Sequence, residues 1–147
     1  MATGMTDRGR KLLLEYSFNG ETVPSTYNGK LVTDASVTKA INTFSELSEV
    51  PAGSGYTTGG VSFSSSNVTI TEVDSSIGAK AEIADDHFSW SLSGTFPASG
   101  TGATFLVITD GTGSDNVLGF VDLGGAKTGS SGGTFKVNDV EFQINES

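Results

Sequence analysis

The sequence contains no cysteine, one histidine, one tryptophan and only three prolines. Without cysteine there is no disulfide framework, no thiolate metal site and no catalytic thiol. One histidine leaves a single side chain whose ordinary pKa lies near neutrality. No apolar run approaches the roughly 20 residues of a membrane-spanning helix, so no membrane partner is expected. The triplet Leu12-Leu13-Leu14 is too short for the apolar core of a secretory signal. Positive charge is scarce as well: eight Lys and Arg stand against 17 Asp and Glu, for a net charge of −9. Arg8, Arg10 and Lys11 against Asp7 put residues 1–11 at +2, so the remainder carries −11. A body this acidic repels a phosphate backbone, and no nucleic-acid partner is expected.

Glycine is abundant, with 20 in 147 residues, about twice ordinary usage. Aromatics make up 9%, and together with many β-branched residues they set the chain apart from disordered sequences. The composition predicts an all-β domain with many tight turns. The length is sufficient for one domain with a real core. The densest glycine cluster, Gly53-Ser-Gly-Tyr-Thr-Thr-Gly-Gly60, joins an irregular polar stretch to a new strand at Val61. Its glycines predict positive φ and close backbone approach.

One helix is predicted over Thr6 to Phe18, with Thr6 as cap, Asp7 in the first turn and Asn19-Gly20 as stop. Leu12, Leu14, Tyr16 and Phe18 also alternate as a strand would, but the cap and the basic cluster fit a helix. Tyr27 to Thr33 reads as a strand, with a turn or bulge at Asn28-Gly29. Residues 34–50 read as loop, with a short helix near Thr43 to Ser48. Strands follow at Asn67–Val73, Ala79–Ile83, Phe88–Leu92, Ala103–Thr109, Asn116–Leu123, Thr134–Val137 and Val140–Ile144. Phe88, Trp90 and Leu92 share a core face, and the apolar run from Ala103 predicts a strand covered on both sides. In Asn116–Leu123, strict alternation puts Val117, Gly119 and Val121 on one face and Leu118, Phe120 and Asp122 on the other. This spacing predicts an antiparallel β-sandwich, jelly-roll-like, over residues 21–147, preceded by an N-terminal arm and helix over residues 1–20.

Few residues offer chemistry. His87 lies beside Asp85 and Asp86, but no Gly-x-Ser-x-Gly elbow accompanies it, and two neighbouring carboxylates at one strand end do not converge on a zinc ion. Asp110 to Asn116 has oxygen ligands at short spacing without the EF-hand pattern, and a β-turn needs the same residues. Glu72, Asp74 and Glu82 form a carboxylate set of the kind glycosidases use, with nothing to fix their distance. No cofactor, metal or enzymatic activity is expected. Trp90 is expected inside. Tyr56, alone among glycines, is the candidate for a surface contact, and Arg8, Arg10 and Lys11 form the candidate anchor on an acidic partner.

The order of motifs resembles a group of small structural proteins of tailed bacteriophages. The resemblance rests on Arg10-Lys-Leu-Leu-Leu-Glu-Tyr-Ser-Phe18, Pro24-Ser-Thr-Tyr27 with Leu31-Val-Thr33, and Glu49 before Gly53-Ser-Gly55-Tyr56. It continues through Phe88-Ser-Trp90, Phe105 to Gly113, and Gly132-Gly133 before a final strand pair ending at Ile144. Asn28-Gly29-Lys30 departs from the uninterrupted apolar strand usual in that group. The resemblance implies a virion protein assembled in the host cytoplasm, foremost an auxiliary capsid decoration or cement subunit. Its partners would be the major capsid protein or neighbouring virion subunits, and it would form a homo-oligomer, a trimer by preference. A tail-fibre or tail-tip subunit is the alternative within that group. A carbohydrate-binding module using Tyr56 and the Asp110 loop is the alternative outside it.

Overall fold

A computed structural model of the chain describes residues 4–72, 78–111 and 113–144. Its elements in chain order are β1 (Gly4–Met5), α1 (Asp7–Phe18), β2 (Tyr27–Val32), β3 (Val61–Phe63), β4 (Val68–Glu72) and β5 (Ala79–Ile83). They continue with β6 (Phe88–Ser91), β7 (Ala103–Thr109), β8 (Val117–Lys127), β9 (Thr134–Val137) and β10 (Glu141–Ile144). The protein is an antiparallel β-sandwich with one short N-terminal helix. A five-stranded sheet, ordered β1-β8-β7-β2-β3, carries a three-stranded sheet, β10-β5-β4, and a two-stranded one, β6-β9.

β7 sits centrally and is buried along nearly its whole length. Leu106 and Ile108 face the main core with Leu31, Phe88, Trp90 and Val137. Phe105 and Val107 face a second core with Val32, Val37, Val117 and Phe120. Ile41, Phe44 and Leu47 roof this second core, so the irregular segment 34–50 is a packed cover. Within it, Phe44–Glu46 forms one 3-10 turn where a short helix was expected.

Three expectations need correction. Asn28-Gly29 makes no turn or bulge: β2 pairs through Gly29 with Val61 on one side and Ile108 on the other. The glycine is there for space, because a Cβ on Gly29 would lie 2.2 Å from Cε1 of Phe88. Second, the two strands of the final pair, β9 and β10, do not bond to each other. After Asn138-Asp139 the chain changes sheets, with β9 pairing β6 and β10 pairing β5. Third, strict alternation fails in β8. Ile108 faces Gly119 while Thr109 faces Val117, so Leu118 is an extra residue in a bulge. Leu118 therefore joins Val121 in the main core, and Val117 joins Phe120 in the second.

The bulge also positions the N-terminus. It frees the Leu118 carbonyl, which accepts the Thr6 amide at 3.0 Å. The Thr6 hydroxyl donates to the Val117 carbonyl and caps α1 by accepting the Gly9 amide at 2.9 Å. β1 adds to β8 through Gly4–Phe120 and Met5–Gly119. Residues 4–18, set apart in sequence as an arm, are thus woven into the sandwich. No described helix is long and apolar enough to cross a membrane.

Candidate functional site

The three-stranded sheet has one largely apolar face, interrupted at its edge by exposed Glu72 opposite Ala79. Its register aligns Val68 with Ile83, Ile70 with Ala81, and Ala79 with Ile144, with Phe142 also opposite Ala81. The other face carries Thr69, Thr71, Lys80, Glu82, Glu141 and Gln143, as period-two alternation requires. On that polar face Lys80 Nζ lies 2.9 Å from Glu82 Oε1 and 3.6 Å from Glu141 Oε2. The hydrogen bond to Glu82 holds the Lys80 ammonium above its usual pKa.

The apolar face is only partly covered. Between it and α1 runs an open cleft of about 460 Å³, floored by Tyr27, Phe63, Ile108 and Leu118 and walled on the helix side by Gly9, Leu13 and Tyr16. Val23, Ile70 and Ile144 form its lips. Among the described residues six large apolar side chains are well exposed: Phe18 at 82%, Ile70 at 71%, Leu14 at 60%, Ile144 at 59%, Val23 at 55% and Leu13 at 39%. Four of the six line this cleft. The other two, Leu14 and Phe18, are four residues apart on α1 and share its outer side, away from the cleft-lining Gly9, Leu13 and Tyr16. Exposed apolar surface gathered as it is around the cleft marks a candidate interaction face. Its parts come from three distant stretches, each readable as amphipathic, and only the fold brings them together.

Two tyrosines at the cleft have raised pKa values. Burial is the main cause for Tyr16 and for Tyr27, and the nearby Asp110 carboxylate adds to it. Asp110 is itself buried and accepts from the Asn116 amide at 3.0 Å and from Asn116 Nδ2 at 2.8 Å. Asp115 holds Lys30 at 2.6 Å. The Asp110–Asn116 segment is therefore a turn closed by its own side chains; Thr112 lies outside the described residues.

The sequence-derived site residues do not come together. Tyr56, expected at the surface, is 2% exposed and packs against Trp90 and Phe96. Its hydroxyl donates to Glu49 Oε1 at 2.8 Å and accepts the Leu31 amide at 3.0 Å. The same Glu49 oxygen accepts the Gly59 amide at 2.7 Å. The hinge is thus a latch: Gly53 and Tyr56 exchange backbone hydrogen bonds, and the tyrosine turns inward to tie Glu49 to β2. Gly60, at φ +67°, lies so near β2 that a Cβ would approach the Gly29 carbonyl oxygen to 1.9 Å. A carboxylate seven residues ahead of the tyrosine was the available signal for this latch. Burial drives the Tyr56 pKa far upward, and the Glu49 carboxylate adds to the rise.

The basic residues are each engaged nearby. Arg8 Nη1 donates to Asn116 Oδ1 at 3.3 Å, Arg10 pairs with Asp7 at 3.2 Å, and Lys11 pairs with Glu15. His87 Nε2 lies 3.1 Å from the Ser62 carbonyl oxygen, with the ring edge-on to Phe63 and Phe88. Asp85 accepts the Asp139 amide at 3.2 Å and Asp86 meets Lys136 at 2.7 Å. This cluster is a turn that opens β6. Of the carboxylate set, Glu82 binds Lys80, Glu72 is exposed, and Asp74 lies outside the described residues. Among the described residues no three His, Asp or Glu side chains are grouped to hold a metal ion. Comparison with protein-family models, curated proteins and solved structures returns no match.

Proposed function

We propose that this chain is a structural subunit of a tailed-bacteriophage virion, of the kind that decorates and stabilises the capsid shell. One observation carries the reading. The polar side chains offered for chemistry are taken up by turns and latches, while four of the six exposed large apolar side chains among the described residues line one open cleft. That is the surface economy of a docking protein. A reaction centre needs polar groups converging on a common point. The resemblance borne by Pro24-Ser-Thr-Tyr27, by Glu49 with Gly53-Ser-Gly55-Tyr56, and by Phe88-Ser-Trp90 supplies the virion context. The inward turn of Tyr56 removes the aromatic on which a glycan-binding reading relied. Quantitative mass spectrometry of purified particles tests the proposal. Hundreds of copies per particle fit a shell subunit, a few to a dozen move the chain to the tail, and none removes it from the virion.

A further inference from the structure

We infer that Asn19-Gly20 is a site of spontaneous covalent modification, where the folded chain deamidates to aspartate and isoaspartate. The second Asn-Gly pair of the sequence, Asn28-Gly29, is shielded from the same reaction by the sheet. The chemistry is intramolecular. The Gly20 backbone nitrogen attacks Asn19 Cγ, a five-membered succinimide closes, and the side-chain nitrogen leaves as ammonia, taking the amide proton with it. Water then opens the ring at one of its two carbonyls. One opening leaves aspartate, and the other leaves isoaspartate, whose main chain runs through the side-chain carbon. The step uses no oxidant and no second protein. Glycine after the asparagine favours the attack, because no Cβ crowds the nitrogen or restricts its backbone.

The fold treats the two pairs in opposite ways. Asn19 ends α1, and residues 17–23 are exposed. Gly20 has φ +70°, and nothing lies within 4 Å of where a Cβ would stand. Among the described residues the Gly20 amide, the attacking group, has no acceptor. Asn19 has ψ 0°, so the following peptide must turn to bring its nitrogen onto Cγ. One long hydrogen bond opposes that turn, from the Glu21 amide to the Glu15 carbonyl at 3.4 Å. The Asn19 amide donates to the same oxygen at 2.9 Å, but it lies upstream of the rotating bond and is undisturbed. Asn28-Gly29, in contrast, belongs to a strand paired on both sides, with Gly29 opposite Val61 and Ile108. The nitrogen that would leave, Asn28 Nδ2, donates to the Gly59 carbonyl at 3.3 Å. Turning this peptide requires β2 to leave the sheet, which is an opening of the core. Reaction at Asn19 adds one negative charge to a chain already at −9. It places that charge at the end of α1 where the helix's own partial charge is negative. The inference does not rest on the virion reading.

Peptide mapping by mass spectrometry provides the test, on the full chain held folded for weeks at physiological temperature and mildly alkaline pH. Electron-transfer fragmentation distinguishes aspartate from isoaspartate. Asn19 is expected to convert to both products, at a rate on the order of tenfold or more above that of Asn28. In guanidinium chloride, with the sheet unfolded, the two asparagines are expected to react at similar rates. A Gly20→Ala chain is expected to remain folded, because the position is exposed and open, and to convert at Asn19 on the order of tenfold more slowly. An Asn19 that keeps its amide, or one that reacts no faster than Asn28 in the folded chain, overturns the inference. So does a Gly20→Ala chain that converts as fast as wild type, which would exclude attack by the Gly20 nitrogen. A difference that persists in guanidinium chloride overturns it as well, by tracing the selectivity to neighbouring residues and not to the fold.

Discussion

Gly9 of α1 lies directly on the backbone of Leu118, so closely that a Cβ at position 9 would fall 2.1 Å from the Leu118 carbonyl oxygen. Helix and sheet meet backbone to backbone at this point. The β8 bulge makes the contact by adding Leu118 to the strand, and Thr6 fastens it from the other side.

Gly9→Ala therefore tests tertiary packing against helix propensity. In an isolated helix the substitution stabilises by about 1 kcal/mol. Here it is expected to destabilise by about 1–3 kcal/mol, because a rigid backbone atom blocks the methyl. Urea unfolding of the two proteins gives the sign directly, and a more stable variant would refute the contact.

Gly29→Ala acts by a different route. The new methyl meets the ring of Phe88, which is fully buried and has no room to retreat. A loss of about 1–3 kcal/mol is expected from overpacking. Gly113→Ala, with open space around its position, is expected to stay within about 0.5 kcal/mol of wild type. Equal losses at the two sites would show that the Phe88 contact is not what sets the cost.

Tyr56→Phe removes one oxygen from the latch. The Leu31 amide loses its acceptor and Glu49 loses a donor, both at buried or half-buried positions. The expected cost is about 1–3 kcal/mol, read as a fall in melting temperature. A variant as stable as wild type would show that the hydroxyl contributes nothing beyond its ring.

The same tyrosine gives a pH dependence. Its folded pKa is raised above the ordinary value of 10. Above that value the unfolded chain releases the phenolic proton while the folded chain keeps it, so stability present at neutral pH is lost as pH rises past about 10. Tyr16 and Tyr27 shift in the same direction. Unfolding free energy followed from pH 8 upward, on the order of two to three pH units, is expected to fall, and less steeply in Tyr56→Phe. An unchanged slope in that variant would assign the loss to other groups.

Charge reversal at Arg10 and Lys11 probes the electrostatic part of docking. Both are exposed and paired only within the helix, where such pairs contribute little. On the proposed virion role, the Arg10→Glu, Lys11→Glu double variant is expected to fold normally and to bind purified phage particles more weakly. The deficit should be largest at low salt and shrink as the Debye length falls to about 8 Å at physiological ionic strength. A salt-independent deficit would place the effect in the fold of α1.

Much of the architecture is legible in the sequence because burial and period coincide there. Phe88, Trp90 and Leu92 alternate and are all buried, and the run from Ala103 has both faces covered. The failures occur where local pattern and tertiary need diverge. Asn28-Gly29 looks like a turn because the glycine answers to a ring 59 residues away. Leu118 breaks alternation because α1 needs its carbonyl. Tyr56 looks stranded among glycines because its partners are Leu31 on β2 and Glu49 in a segment with no periodicity, and only the fold brings them to it. The cleft was hidden for a related reason. Ile70, Ala81 and Phe142 each carry an ordinary strand signal, and only their shared register shows that the apolar face they form runs out past its cover.

The wiring of the cleft also bears on when it can exist during synthesis. Its helix wall hangs on β8 through Thr6 and Leu118, and its sheet wall includes β10 at residues 141–144. During synthesis α1 emerges before β8, and has nothing to hold it against until more than a hundred further residues have left the ribosome. The cleft is thereby withheld from chains that stop short of β8. Only a chain synthesised through β10 holds the complete cleft, so a product cut short before Glu141 lacks one of its walls.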